Sequence, residues 1–138
     1  MFYVATCLLF DKNGKLLIYL RDNKPDIPFP NHWDLFGGMI EEGETPGQAL
    51  VREVEEELGI TLGSYKKFRD YDCQTGDISP NKKYVFYAKV NAIPEELKLL
   101  DVGQRLTSIS LEDRYNYDFA NILGGIIDDF ATSGIEIE

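Results

Sequence analysis

Residues 38–60 of the chain read GMIEEGETPGQALVREVEEELGI, and this stretch carries the strongest structural signals in the sequence. Its second half carries the signals of one α-helix, because Thr45 suits the N-cap and Gln48 completes a T-x-x-Q capping box with it. Apolar side chains then recur at helical spacing as far as Leu58, and they form a stripe that can face a core. Gly59 supplies a left-handed stop. The sequence therefore predicts a helix that begins after Thr45 and ends at Leu58.

Three acidic side chains of this predicted helix share one face, because positions i, i+3 and i+4 are neighbours on a helix surface. They are Glu53, Glu56 and Glu57. Like charges at this spacing cost roughly 0.2–0.5 kcal/mol per pair, and negative charge in the last turn also opposes the helix dipole. Arg52 falls on a neighbouring arc that can face water. A solvated acidic face explains the pattern, and so does a hard divalent cation, since carboxylate oxygens suit Mg²⁺ or Mn²⁺.

The whole stretch resembles the Nudix box, G-x5-E-x7-R-E-U-x-E-E-x-G-U, in which U is an apolar aliphatic residue. Every specified position is filled, by Gly38, Glu44, Arg52, Glu53, Val54, Glu56, Glu57, Gly59 and Ile60. The resemblance implies an α/β fold, namely the Nudix-type α/β/α sandwich with a central mixed β-sheet. It also implies that residues 1–138 form a single Nudix hydrolase domain.

The resemblance further implies roles for the residues of the box. In this family the three box glutamates bind Mg²⁺ or Mn²⁺, and here they are Glu53, Glu56 and Glu57. The residues that correspond to Arg52 and Glu44 orient the acidic set, and a backbone carbonyl of the Gly37-Gly38 pair often joins the metal shell. The implied reaction is hydrolysis of a nucleoside diphosphate linked to another moiety. Cations would also explain how a chain of net charge −10 holds a pyrophosphate.

The general base is not specified by the box. In several Nudix branches a glutamate outside the box, in the motif E-G-Q before the last helix, deprotonates the attacking water. Here Gly103 and Gln104 are present, but Val102 occupies the place of that glutamate. Asp101, one residue earlier, is the candidate that we favour, and Glu53 and Asp77 remain alternatives.

Substrate contacts also lie outside the box. Phe29 or Phe36 can stack on a base, which is worth roughly 1–3 kcal/mol, or can pack in the core or in a loop. Arg21 stands at the end of a predicted strand, where it can contact phosphate. Asn121 is predicted on the last helix, where it can read a base edge. We expect these four residues to bind substrate.

Three functions fit this site. The first is cleavage of an ordinary or oxidised nucleoside triphosphate to the monophosphate and pyrophosphate. The second is cleavage of ADP-ribose or a nucleotide sugar by the same chemistry. The third is a sensor that binds a nucleotide without turnover, against which the complete set of carboxylates argues.

The rest of the sequence predicts strands mixed with two helices, which favours an α/β sandwich with a mixed sheet. The expected strands are Phe2 to Phe10, Lys15 to Arg21, Lys66 to Asp72, Lys83 to Val90 and a short one at Leu97 to Leu100, and Trp33 to Phe36 is a short apolar run. The last helix is expected from about Asp118 to Phe130.

Composition excludes several classes of protein. Fourteen basic against 24 acidic residues disfavour binding to nucleic acid. Cys7 and Cys73 do not make a disulfide scaffold and are expected as buried thiols. The chain lacks the basic region of a signal peptide and an apolar run of the ~20 residues that a membrane helix needs. We therefore expect a cytoplasmic protein whose partner is a small nucleotide, with no nucleic acid and no membrane, and with a homodimer as one assembly that relatives adopt.

Overall fold

The computed structural model describes residues 1–74, 80–100 and 102–137. The elements in chain order are β1 Phe2–Phe10, β2 Leu16–Leu20, β3 Trp33–Asp34, β4 Phe36–Met39, α1 Pro46–Leu58, β5 Lys66–Cys73, β6 Asn81–Lys89, β7 Arg105–Ile109 and α2 Leu123–Ala131. Two 3₁₀ helices, Pro94–Glu96 and Leu111–Asn116, flank β7. No helix in the described ranges is long and apolar enough to cross a membrane.

The strands form one mixed sheet, as the sequence predicts. Its order is β3-β2-β1-β6-β5, with β4 also paired to β1 and β7 also paired to β2. The pairing of β1 with β6 is parallel along its whole length, from Phe2 opposite Asn81 to Phe10 opposite Lys89. The other pairs are antiparallel. Strand β1 therefore lies at the centre and connects the strand that carries the two glycines, β4, to β6.

Each face of the sheet has its own apolar core, which gives the α/β/α layering. Leu50 and Val54 of α1 pack on one face, in a cluster that includes Phe36. Ile126 and Phe130 of α2 pack on the other face. Because side chains alternate along a strand, neighbouring residues of β1 and β6 point to different helices.

Two predicted elements differ from the structure. Residues 97–100 form no strand, because Leu97 and Leu99 turn toward the core of the α1 face while the backbone N–H of Leu100 donates to the carbonyl of Glu57 at 2.9 Å. The strand in this region is β7, which pairs with β2 and was not predicted. The last helix begins at Leu123 and not near Asp118, since Asn121 has a left-handed backbone with φ of 57°.

Candidate active site

Helix α1 holds its acidic residues in place through well-formed ends. The Thr45 hydroxyl accepts from the backbone N–H of Gln48 at 3.1 Å, and the Gln48 side chain accepts from the N–H of Thr45 at 2.9 Å. Gly59 closes the helix with φ of 68°. The predicted bounds, capping box and stop are thus confirmed. Rigid ends fix which way the glutamates between them point.

Thr45→Ala tests the contribution of this cap. The variant loses one side-chain acceptor at the helix N-terminus, so we expect the free energy of unfolding to fall by about 0.5–2 kcal/mol. Urea denaturation measures the loss, and the slope of the transition should not change. A variant as stable as the unmodified protein would show that α1 is held by packing alone.

Glu57 is the most deeply buried of the three box glutamates, with 9% of its surface exposed. Its Oε1 accepts from the backbone N–H of Gly37 at 2.9 Å. Removal of the carboxyl group from water raises the pKa of Glu57 to about 9, although the bond from Gly37 acts in the opposite direction. A buried carboxylate of this kind is stable as an anion only beside a cation.

Glu53 lies one turn earlier and faces the next glycine. A Cβ atom added at Gly38 would lie 2.6 Å from both carboxylate oxygens of Glu53, so only glycine leaves room for this carboxylate. Burial raises the pKa of Glu53, while hydrogen bonding to Arg52 acts against that rise. The two glycines of β4 and the carboxylates of α1 therefore fit against each other closely.

The position of Arg52 around the helix suggested that it can face water, but its side chain forms hydrogen bonds within the site. Its Nε and Nη2 donate to the two carboxylate oxygens of Glu44 at 2.7 and 2.9 Å, and its Nη1 donates to Glu53 at 2.9 Å. Nη2 also donates to the carbonyl of Met39 at 3.0 Å. These bonds lower the pKa of Glu44 to about 2. Arg52 thus joins the loop before α1 to Glu53.

Glu56 is the exposed member of the acidic set, with 58% of its side chain accessible, and it lies 3.4 Å from Arg52. Across the described ranges, the side chains as placed do not form a cluster of three or more acidic, histidine or cysteine residues around a metal position. The donor chemistry nevertheless fits a hard divalent cation, because Glu53, Glu56 and Glu57 offer only oxygen. Burial raises the pKa of Glu57, and a neighbouring cation would lower it again.

A cavity of about 130 Å³ is lined in part by Gly37 and Gly38 of β4. In its wall, Nη1 of Arg21 pairs with Asp34 at 2.7 Å, and the hydroxyl of Tyr19 donates to the same carboxylate at 3.1 Å. Thr6 and Lys83 also line it. Sequence reasoning missed these residues apart from Arg21, since no motif links β1, β2, β3 and β6.

The four residues expected to bind substrate are only partly brought together. Arg21, Phe36 and Asn121 line the cavity, whereas Phe29 is not part of its lining. Phe36 is completely buried and its ring packs against Tyr19 at 5.1 Å, which is the packing role that the sequence left open. Asn121 reaches the wall through its left-handed backbone.

The loop that was expected to supply the general base is described only in part. Asp101 and Asp77 lie outside the described residues. Gln104 of the Gly-Gln pair is placed, and its Nε2 donates to the carbonyl of Arg21 at 2.7 Å and to the side chain of Asn31 at 2.8 Å. Gln104 therefore fastens this loop to the loop that follows β2.

The fold and the site together define an α/β/α sandwich protein that holds the carboxylates of one helix against two glycines of a neighbouring strand. The sequence model of the NUDIX domain matches residues 2–115, and the chain belongs to this family of hydrolases. Its members generally use divalent metal ions and act on small nucleotide compounds.

Individual relatives agree with this assignment. The chain is 37% identical over 125 residues to an uncharacterised Nudix hydrolase of Listeria monocytogenes, covering 78% of this chain and 73% of the relative. It is 33% identical over 125 residues to the nucleoside triphosphatase NudI of Salmonella paratyphi B, covering 70% and 86%. The crystal structure of a MutT protein from Methanosarcina mazei superposes with a TM-score of 0.82 at 20% identity, over 98% of this chain and 96% of that one. The expected fold class and family are confirmed.

Proposed function

We propose that this protein is a Mg²⁺- or Mn²⁺-dependent pyrophosphohydrolase that cleaves a nucleoside triphosphate, ordinary or oxidised, to the monophosphate and pyrophosphate. The observation that carries the proposal is the buried carboxyl group of Glu57 against the N–H of Gly37, beside Glu53 in the space that Gly38 leaves open. Such an arrangement costs stability unless a cation shares it.

Glu53, Glu56 and Glu57 would hold the cation, together with a carbonyl of Gly37 or Gly38. When bound, a divalent cation neutralises the phosphate oxygens and activates water. The chain's own part is orientation: α1 presents the carboxylates, and Arg52 keeps Glu53 directed at Gly38 of β4. Asp101 is the proposed base, with Glu53 as the alternative that already lies in the site.

The substrate class is supported by two observations. A relative that shares most of its length with this chain is named a nucleoside triphosphatase. The cavity of about 130 Å³ is smaller than the ~300–1,000 Å³ of a site that encloses a whole drug-sized ligand, so it accommodates one part of a nucleotide and leaves the phosphates outside. Gly37 and Gly38 border both the cavity and the carboxylate site. One substrate can therefore place its nucleoside in the cavity and its phosphates beside the carboxylates.

A panel of nucleotides incubated with Mg²⁺ tests the proposal through its products. Monophosphate and pyrophosphate from triphosphates are the expected result, and hydrolysis in H₂¹⁸O identifies the phosphorus that water attacks. AMP with ribose 5-phosphate from ADP-ribose would replace the proposed substrate by the second candidate. Tight binding of nucleotides with no product from any of them would identify a sensor.

Glu44→Gln tests the positioning role of the ion pair with Arg52. The amide keeps the shape of the side chain but loses one acceptor oxygen and the charge, so Arg52 holds Glu53 less firmly. We expect kcat to fall by about 10–100-fold, as for other groups that orient a metal ligand, with a smaller change in KM. Glu42→Gln, an exposed neighbour, is the control. An equal loss in both variants would refute the positioning role.

A further inference from the structure

Lys83 is largely buried, and its side chain has no polar partner among the described residues. It lies in β6 with 5% of its surface exposed, and it lines the cavity of about 130 Å³. In the described ranges it makes no hydrogen bond and no ion pair, whereas the adjacent Lys82 stacks on the ring of Tyr84 at 5.3 Å. Lysine is almost never buried unless it is paired. The Nζ of Lys83 is not an enclosed atom, and because Lys83 lines the cavity, a ligand in that cavity can supply a partner.

The position of Lys83 separates it from the carboxylates of α1. It stands opposite Val4 of β1, and Val85, two residues further along β6, belongs to the core under α2. Lys83 thus points to the α2 face, while Val54 and its neighbours on α1 pack on the other. Strand β1 lies between β6 and β4, so Lys83 is about 10 Å from the glycine strand at the usual strand spacing.

This separation assigns Lys83 to the nucleoside end of the proposed substrate. The phosphates that react must lie beside the carboxylates of α1, and the part that enters the cavity extends away from them. The other charges of the wall already satisfy one another, because Arg21 and Tyr19 both donate to Asp34. The Lys83 ammonium group, which has three N–H bonds and no acceptor, adds donors to this wall.

A donor without a partner discriminates between bases. Guanine presents O6 and N7, and uracil and thymine present O4, all of which accept; adenine and cytosine present an amino group at the equivalent position, which donates. We propose that Lys83 is a specificity-determining residue that donates to the carbonyl edge of the base and selects keto-bearing nucleotides over amino-bearing ones. This inference rests on the proposed function in one respect, that the cavity takes the nucleoside.

Equilibrium binding of the four product monophosphates tests the proposal without turnover. Calorimetric titration of the unmodified protein should give dissociation constants for GMP and UMP at least about tenfold below those for AMP and CMP. Lys83→Met keeps the length and apolar stem but removes the donors, so the preference should shrink to about twofold or less. Lys89→Met, at the exposed end of the same strand, should retain the preference of the unmodified protein.

Two further arms make the test decisive. Lys83→Arg keeps the donors and should retain the preference. If Lys83→Met does not fold, Lys83→Arg and Lys83→Gln are compared in its place. Uniform weakening of all four nucleotides in Lys83→Met would mean that the lysine contacts phosphate, and this would overturn the proposal. Equal binding of the four by the unmodified protein would overturn it as well.

The outcomes are distinguishable from those for the proposed function. A protein that hydrolyses no triphosphate but binds GMP and UMP preferentially through Lys83 would refute the proposed activity and support the specificity. A protein that hydrolyses GTP, UTP, ATP and CTP with equal kcat/KM, and whose Lys83→Met variant does the same, would leave the activity standing and refute the specificity.

Discussion

Glu57→Gln is expected to reduce turnover by more than about a hundredfold, because even groups that only orient a metal ligand contribute about 10–100-fold. In the absence of metal, the same variant should be as stable as the unmodified protein or slightly more stable. The amide oxygen still accepts from the N–H of Gly37, and the cost of burying a carboxyl group whose pKa is raised to about 9 is removed. If Glu57 served only to stabilise the fold, Glu57→Gln would lower the free energy of unfolding, and the folded protein would keep its turnover.

Glu55→Gln is the matched control for this variant. Glu55 lies on the same helix with its side chain exposed, and its substitution makes the same change from a carboxyl group to an amide. Turnover measured at saturating Mg²⁺ and the free energy of unfolding from urea titration should both stay near those of the unmodified protein. Near-normal turnover in Glu57→Gln would refute the assignment of Glu57 to the metal site.

Thermal denaturation gives a second measurement that does not depend on turnover. A ligand that binds the folded state alone raises Tm in a concentration-dependent way. We expect Mg²⁺ or Mn²⁺ to raise the Tm of the unmodified protein and of Glu55→Gln, and to raise it much less in Glu57→Gln. Glu56→Gln should resemble Glu57→Gln in turnover, with a smaller gain in stability because its side chain is already exposed.

The sequence predicted best what is determined locally. The capping box at Thr45, the stop at Gly59 and the span of β1 depend on residues that are close in the chain, and all three are confirmed. The family followed from spacing within 23 residues, since that spacing fixes which side chains share a helix face. The mixed sheet followed from the presence of strands and two helices.

The sequence predicted least well what depends on distant contacts. The direction of Arg52 is set by Glu44, which lies in the loop before the helix, and a helical projection does not include that loop. The position of Lys83, which has no partner among the described residues, depends on the pairing of β6 with β1, and this pairing brings it beside the cavity. Leu97 to Leu100 was predicted as a strand, but its apolar side chains pack against the core on the α1 face and its backbone does not pair with another strand.

The close fit between β4 and α1 makes a second strong prediction, for Gly38→Ala. Gly37 next to it has φ of 141° and faces the backbone of Thr6, where an added Cβ would lie 2.9 Å from the Cα atom, so that position is fixed by the fold. Gly38 differs, because the three atoms nearest its added Cβ all belong to the carboxylate of Glu53, the end of a flexible side chain. The methyl group therefore displaces a functional group and leaves the backbone where it is.

We expect Gly38→Ala to lose about a hundredfold in kcat, the size of effect that follows when a reacting group is misplaced by about 1 Å. The free energy of unfolding should change by less than about 1 kcal/mol, because Glu53 can turn toward solvent without opening the core. Gly63→Ala, where an added Cβ meets nothing within 4 Å, is the control and should match the unmodified protein in both measurements. Full turnover in Gly38→Ala would mean that Glu53 works from a different position, and the geometry proposed for the carboxylate site would then be wrong. If turnover is lost in Gly38→Ala and returns when Glu53 is also shortened to Asp, the defect lies in the contact between these two residues. The shorter side chain leaves space for the added methyl group.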